Sequence, residues 1–222
     1  MPEINLFVQS TSPHVIIAKV SAGADEVKTW TKIQNRFPSR DVTTLSSHRQ
    51  LEHLAVDQTM NAFGRPWANA QIDHDEHGKP QLMENEKFIS ISHHSMETSC
   101  WVVICLGDQS VGCDIERPRT QLHSIAKRFL SAEEQNSFNT TPMLCCAWGV
   151  KESMFKTIGH DIDFRVDLTV NAIHVASADS LEAIGTLKGR SSNWKIWKVT
   201  SSDKQSKGGI ELFAVAGPSD LV

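Results

Sequence analysis

No stretch of this chain is both long enough and apolar enough to suggest a membrane helix. The longest apolar runs, such as Trp101 to Leu106, are strand-sized, well short of the roughly 18 to 20 residues a spanning helix needs. The opening MPEINLFVQS lacks a basic segment leading into an apolar core, so no secretory signal is expected. Glycine and proline are too few, and the 40% of hydrophobic residues too many, for a disordered chain. Strong charge of one sign is also missing. A net charge of −4 excludes a global electrostatic grip on nucleic acid, though not a local basic pocket. The CxxC spacing is absent, and Cys100, Cys105, Cys113, Cys145 and Cys146 are odd in number. A reduced, cytoplasmic protein with mostly buried thiols is expected. No membrane or nucleic-acid partner is expected.

What is present reads as alternating strands and helices. Ile4 to Val8 and His14 to Val20 are rich in β-branched residues and read as strands. Ala24 to Phe37 places Val27, Trp30, Ile33 and Phe37 at helical steps, and a second helix is expected from Val42 to Phe63. Gly64 and Pro66 end it. A polar, irregular stretch to Glu86 contains Gly78-Lys79-Pro80. Phe88 to Ser92 reads as a strand. Cys100 to Leu106 and Val111 to Glu116 read as a hairpin. Helices are expected over Gln121 to Phe129, from a capping box at Ser131 and Glu134, and over Pro142 to Ile158, closed by Gly159. Strands follow at Ala172 to Ala176, Leu181 to Leu187, Trp194 to Thr200 and Ile210 to Ala216, with a polar turn at Lys204 to Gly209. The order suggests an α+β protein of two lobes, residues 1–108 and 109–222.

Three constellations carry chemistry. In Val111-Gly112-Cys113-Asp114-Ile115-Glu116, strand alternation puts Asp114 and Glu116 on one face, roughly 7 Å apart. Two carboxylates so placed call for water or a cation between them, and oxygen donors suit magnesium rather than zinc. The plain alternative is a solvated strand face. The second constellation runs from Trp148 to Lys156, where Glu152 and Lys156 share a helix face with Trp148 one turn earlier. Alone this is a surface ion pair. Joined to the acidic strand, it supplies what a magnesium–pyrophosphate site needs: anions for the metal and a cation for the phosphates. The third is Ile89-Ser90-Ile91-Ser92-His93-His94-Ser95, which could present hydroxyls and imidazoles to a phosphate. With Cys100 and Cys105 it also suggests zinc, but the spacing matches no usual zinc pattern.

With these stretches assembled, the chain resembles the Sfp-type 4′-phosphopantetheinyl transferases. That family typically shows a G-[IV]-D-x-E strand and, some forty residues later, a W-x-x-K-E-x-x-x-K helix. Here they correspond to Gly112, Asp114 and Glu116, then to Trp148, Lys151, Glu152 and Lys156. Gly78-Lys79-Pro80, Ser92-His93 and the run Arg128 to Glu134 are similar to further family segments. The resemblance spans about residues 45 to 165. It implies two α/β lobes related by a pseudo-twofold axis, with the active site in the cleft between them. It implies that Asp114, Glu116 and Glu152 hold Mg2+, or Mn2+, against the pyrophosphate of coenzyme A, and that Glu152 and Lys156 are catalytic. Lys79, Pro80, Ser92, His93, Lys151 and Lys156 would contact coenzyme A, the first lobe taking its nucleotide end. A holo-[acyl-carrier-protein] synthase type transferase would then act on a serine of an acyl or peptidyl carrier protein in fatty-acid, polyketide or nonribosomal-peptide biosynthesis. A monomer suffices.

Three positions depart from the family pattern. His94 follows His93 where Ser or Thr is usual, so the two histidines compete for the phosphate. Ser153 stands where Ala is usual. Asp57 lies near a position where the family often has an arginine, and would repel a phosphate there. These departures leave open a non-catalytic coenzyme A or carrier-protein binding module. An unrelated magnesium-dependent phosphohydrolase is a further alternative. Lys127 and Arg128 are candidate contacts for an acidic carrier protein.

Overall fold

The computed structural model describes residues 2–11, 14–32, 35–83, 86–201 and 210–218. The chain divides into two compact units, Met1–Ser110 and Val111–Val222. Each carries an antiparallel sheet and helices, giving an α+β architecture.

In the first unit, β1 (Glu3–Thr11), β2 (His14–Ser21), β3 (Ile72–His74), β4 (Pro80–Leu82), β5 (Phe88–Ser95) and β6 (Ser99–Gly107) form a sheet in the order β1-β2-β6-β5-β4-β3. Against it pack α1 (Ala24–Thr31) and α2 (Ser47–Ala62). Leu51, Leu54, Ala55 and Met60 give α2 its buried stripe, each large side chain contributing about 1.5–3 kcal/mol on burial. Two expected helices are shorter here. The first stops at Thr31, and Ile33 lies outside the described residues. The second begins only at Ser47, because Ser46 caps it by accepting from the Arg49 backbone N–H. A separate 3-10 turn at Val42–Thr44 precedes it, capped by Asp41.

In the second unit, β7 (Gly112–Glu116), β8 (Leu168–Ser177), β9 (Ser180–Leu187), β10 (Arg190–Ser201) and β11 (Ile210–Gly217) form a sheet in the order β7-β11-β10-β9-β8. The helices are α3 (Gln121–Phe129), α4 (Ala132–Ser137) and α5 (Thr141–Ile158). The capping box at Ser131 and Glu134 opens α4, and left-handed Gly159 closes α5. The expected turn at Lys204 to Gly209 lies outside the described residues.

The expected hairpin of Cys100 to Leu106 with Val111 to Glu116 does not form. β6 pairs with β2 and β5, whereas β7 pairs with β11, nearly 100 residues later. The Gly107-to-Ser110 segment looks like a hairpin turn in sequence, but β6 already has both its edges filled. All five cysteines are buried and none forms a disulfide. Burial pushes the thiols of Cys100 and Cys146 up to about 12.

Candidate active site

Position 112 dictates the geometry of the second unit. A Cβ at Gly112 would lie 1.8 Å from the Ser153 carbonyl oxygen. Only glycine lets the backbone of α5 settle directly on β7. Gly149 repeats the device one turn earlier, where a Cβ would meet a Val215 methyl at 3.0 Å and an Asp114 oxygen at 3.8 Å. The two glycines bring the Glu152–Lys156 face of α5 over the carboxylates of β7.

Lys156 donates to Asp114 Oδ1 at 2.9 Å and to the Cys113 carbonyl at 2.9 Å. Asp114 is almost wholly buried. Glu116, half-buried at the end of the strand, has Arg119 at 3.8 Å. Burial, then Asp114, push the Glu116 carboxyl up against the opposing pull of Arg119 and Trp148. Glu152 is pushed further, to about 7, by burial and by the charges of Asp114 and Glu116, with Lys156 opposing. Burial works against the charge on Lys156, but Asp114 and other neighbours outweigh it and raise its pKa. Glu116 and Glu152 therefore both feel the charge of Asp114, after burial itself. The chemistry of the three carboxylates fits a hard divalent cation, which takes oxygen donors and relieves like-charge repulsion. Among the described residues, no group of three or more His, Cys, Asp or Glu side chains is placed to hold a metal ion in this structure.

Lys151 is placed differently from the expectation that it contacts coenzyme A. Its side chain is fully buried, and the three N–H groups of its ammonium are shared among four acceptors within 2.9 Å, the Phe129, Phe164 and Leu168 carbonyls and Glu134. Glu134 in turn accepts from the Ser131 and Val170 backbone N–H groups. The pair ties α5 to α4 and β8, so this lysine is committed to the core. The motif position gave no sign of this, because Glu134 lies 17 residues away on another helix.

In the first unit, the strand pleat separates Ser92 from His93. Ile89, Ile91, His93 and Ser95 alternate onto the α2 side, while Ser92 and His94 point the other way. Adjacent Ser92 and His93 therefore lie on opposite faces of β5, as do His93 and His94. His93 lies 3.5 Å from the Glu52 carboxylate, and Ser95 donates to the same oxygen at 2.9 Å. Lys79 follows a turn held by Asp75, with Gly78 in the left-handed region, and its ammonium donates to Ser110. Pro80 opens β4 opposite His74. Asp57, expected to repel a phosphate, is already matched. Buried Arg36 pairs with it at 3.0 Å and the Trp30 indole donates to it at 3.0 Å.

A family model described as the 4′-phosphopantetheinyl transferase superfamily matches residues 110–210, which take in α3 to α5 and the strands β7 to β10 but only the first residue of β11. Over this stretch the chain resembles the 4′-phosphopantetheinyl transferases. A 4′-phosphopantetheinyl transferase of Bacillus subtilis is 27% identical over 130 residues, covering 54% of this chain and 56% of the relative. The 4′-phosphopantetheinyl transferase Sfp of Bacillus subtilis (strain 168) is 28% identical over 114 residues, covering 48% and 49%. The chain thus spans about half the length of the curated relatives it matches. No described helix is long and apolar enough to cross a membrane.

Proposed function

We propose that this protein transfers 4′-phosphopantetheine from coenzyme A to a serine of an acyl or peptidyl carrier protein, as a holo-[acyl-carrier-protein] synthase. The observation that carries this reading is the Lys156–Asp114 contact at 2.9 Å, which joins the acidic strand to the Glu-and-Lys helix.

Asp114, Glu116 and Glu152 would hold magnesium, or manganese. When bound, the metal would offset the charge of the pyrophosphate and polarise its oxygens. Glu152, with a pKa near neutrality, is suited to take the proton of the carrier serine. The freed serine oxygen forms a bond to the β-phosphorus, the one bearing pantetheine. The bond from that phosphorus to the bridging oxygen breaks, and 3′,5′-ADP leaves with the electron pair. Lys156 uses two of its N–H groups on Asp114 and the Cys113 carbonyl, and its third suits a pyrophosphate oxygen. The protein's work is positioning and charge stabilisation. Lys79, Pro80, Ser92 and His93 would contact the nucleotide end of coenzyme A. Exposed Lys127 and Arg128, in the last turn of α3, suit an acidic carrier helix.

The test is to incubate the protein with coenzyme A, magnesium and an apo carrier protein, then weigh the carrier. Gain of one phosphopantetheine supports transfer. Bound coenzyme A with an unmodified carrier would instead mean a binding module. Release of phosphate without a carrier would mean a hydrolase.

A further inference from the structure

One buried acid in the first unit has no place in the reading above. Glu52, on α2, is 4% exposed. An ionised carboxylate there is costly unless donors and opposite charges surround it, and two donors and two imidazoles do. Ser95 donates to Oε1 at 2.9 Å, and His93 Nδ1 and His48 Nδ1 lie 3.5 and 3.4 Å from the same oxygen. Arg49 donates to Oε2 at 2.8 Å. Burial pushes the Glu52 carboxyl up, but His93, Ser95 and Arg49 outweigh it and leave it below its ordinary value. One negative charge thus lies among three groups that are or can become cationic. Those groups are more open than the acid: Arg49 is 60%, His48 56% and His93 32% exposed.

We propose that Glu52 is a positioning residue, whose carboxylate orients His93 and Arg49 toward a phosphate ester without touching that ester. A carboxylate that takes Nδ1–H fixes the imidazole tautomer and ring angle, so that Nε2 meets the ligand. It also favours the imidazolium, which a phosphate dianion requires. Resting on the coenzyme A reading, the phosphate ester is the one at the nucleotide end of that substrate. Among the described residues, His53 also bears on His93 and is itself held down to about 4 by burial and by Arg40, while Arg49 and His48 on the same helix share the Glu52 carboxylate.

The experiment compares wild type, Glu52→Gln, His93→Gln and the double variant. Imidazole titrations are followed by NMR, and affinities for coenzyme A and 3′-dephospho-coenzyme A by calorimetry. Glu52→Gln should lower the His93 pKa. It should weaken coenzyme A by about tenfold and the dephospho form by much less. Adding Glu52→Gln to His93→Gln should cost little more. An unchanged His93 titration, tighter coenzyme A binding or additive losses would each overturn the proposal. If Glu52→Gln does not fold, Glu52→Asp with and without His93→Gln gives the same cycle. Failure of wild type to bind coenzyme A counts against the substrate reading alone, since the titration still decides whether Glu52 acts on His93.

Discussion

Gly112 lies so close to Ser153 that a methyl group at position 112 would fall 1.8 Å from the Ser153 carbonyl oxygen. Both partners are backbone, so neither can swing aside. Gly112→Ala must therefore push α5 off β7, at a cost of roughly 3 kcal/mol. Urea denaturation should show this loss, and transfer should fall further than stability alone explains, because Lys156 and Asp114 separate.

The same contact concerns Ser153 itself. Its hydroxyl is buried without a hydrogen-bond partner. Ser153→Ala removes an unsatisfied group and should stabilise the protein by about 1 kcal/mol, with transfer unchanged. A loss of stability on denaturant unfolding would show that the hydroxyl has a partner in solution.

Lys151→Met should destabilise by roughly 3–5 kcal/mol, because it strands the buried Glu134 carboxylate. Coenzyme A affinity of the protein that remains folded should be near wild type. A stable variant with weakened coenzyme A would return Lys151 to the ligand site.

Glu152 has its folded-state pKa raised to about 7, so the native state binds its proton more readily than the unfolded chain does. Its contribution to stability therefore declines as pH rises from the ordinary carboxylate value through 7. In metal-free buffer Glu152→Gln should flatten that decline. Above pH 7 the variant should be more stable than wild type by ~1 to 3 kcal/mol, as read from melting curves across pH. Transfer should be lost in the same variant, since amide nitrogen and oxygen cannot take the serine proton.

Lys156→Ala should lower kcat more than coenzyme A affinity, by roughly 100-fold in turnover. Equal effects on both would mean the lysine acts on bound substrate without favouring the transition state.

Much of this was legible along the chain. The alternation of Gly112, Asp114 and Glu116, the four-residue step from Glu152 to Lys156, and the capping box at Ser131 are local patterns. Local patterns follow from the strand and helix repeats themselves. The false hairpin after β6 shows where that reading fails. Turn chemistry marks where a strand ends but does not choose its partner, and β11 won β7 from nearly 100 residues away.

The sequence by itself determined which residues share a strand or helix face, and so named the acidic strand and its companion helix. Only the tertiary structure decided that Lys151 belongs to Glu134, that Asp57 is matched by Arg36, and that His93 leans on Glu52. Each of these pairs joins segments that are separate along the chain. Whether a charge serves a ligand or the core depends on the neighbour that burial brings to it, and sequence spacing does not carry that information.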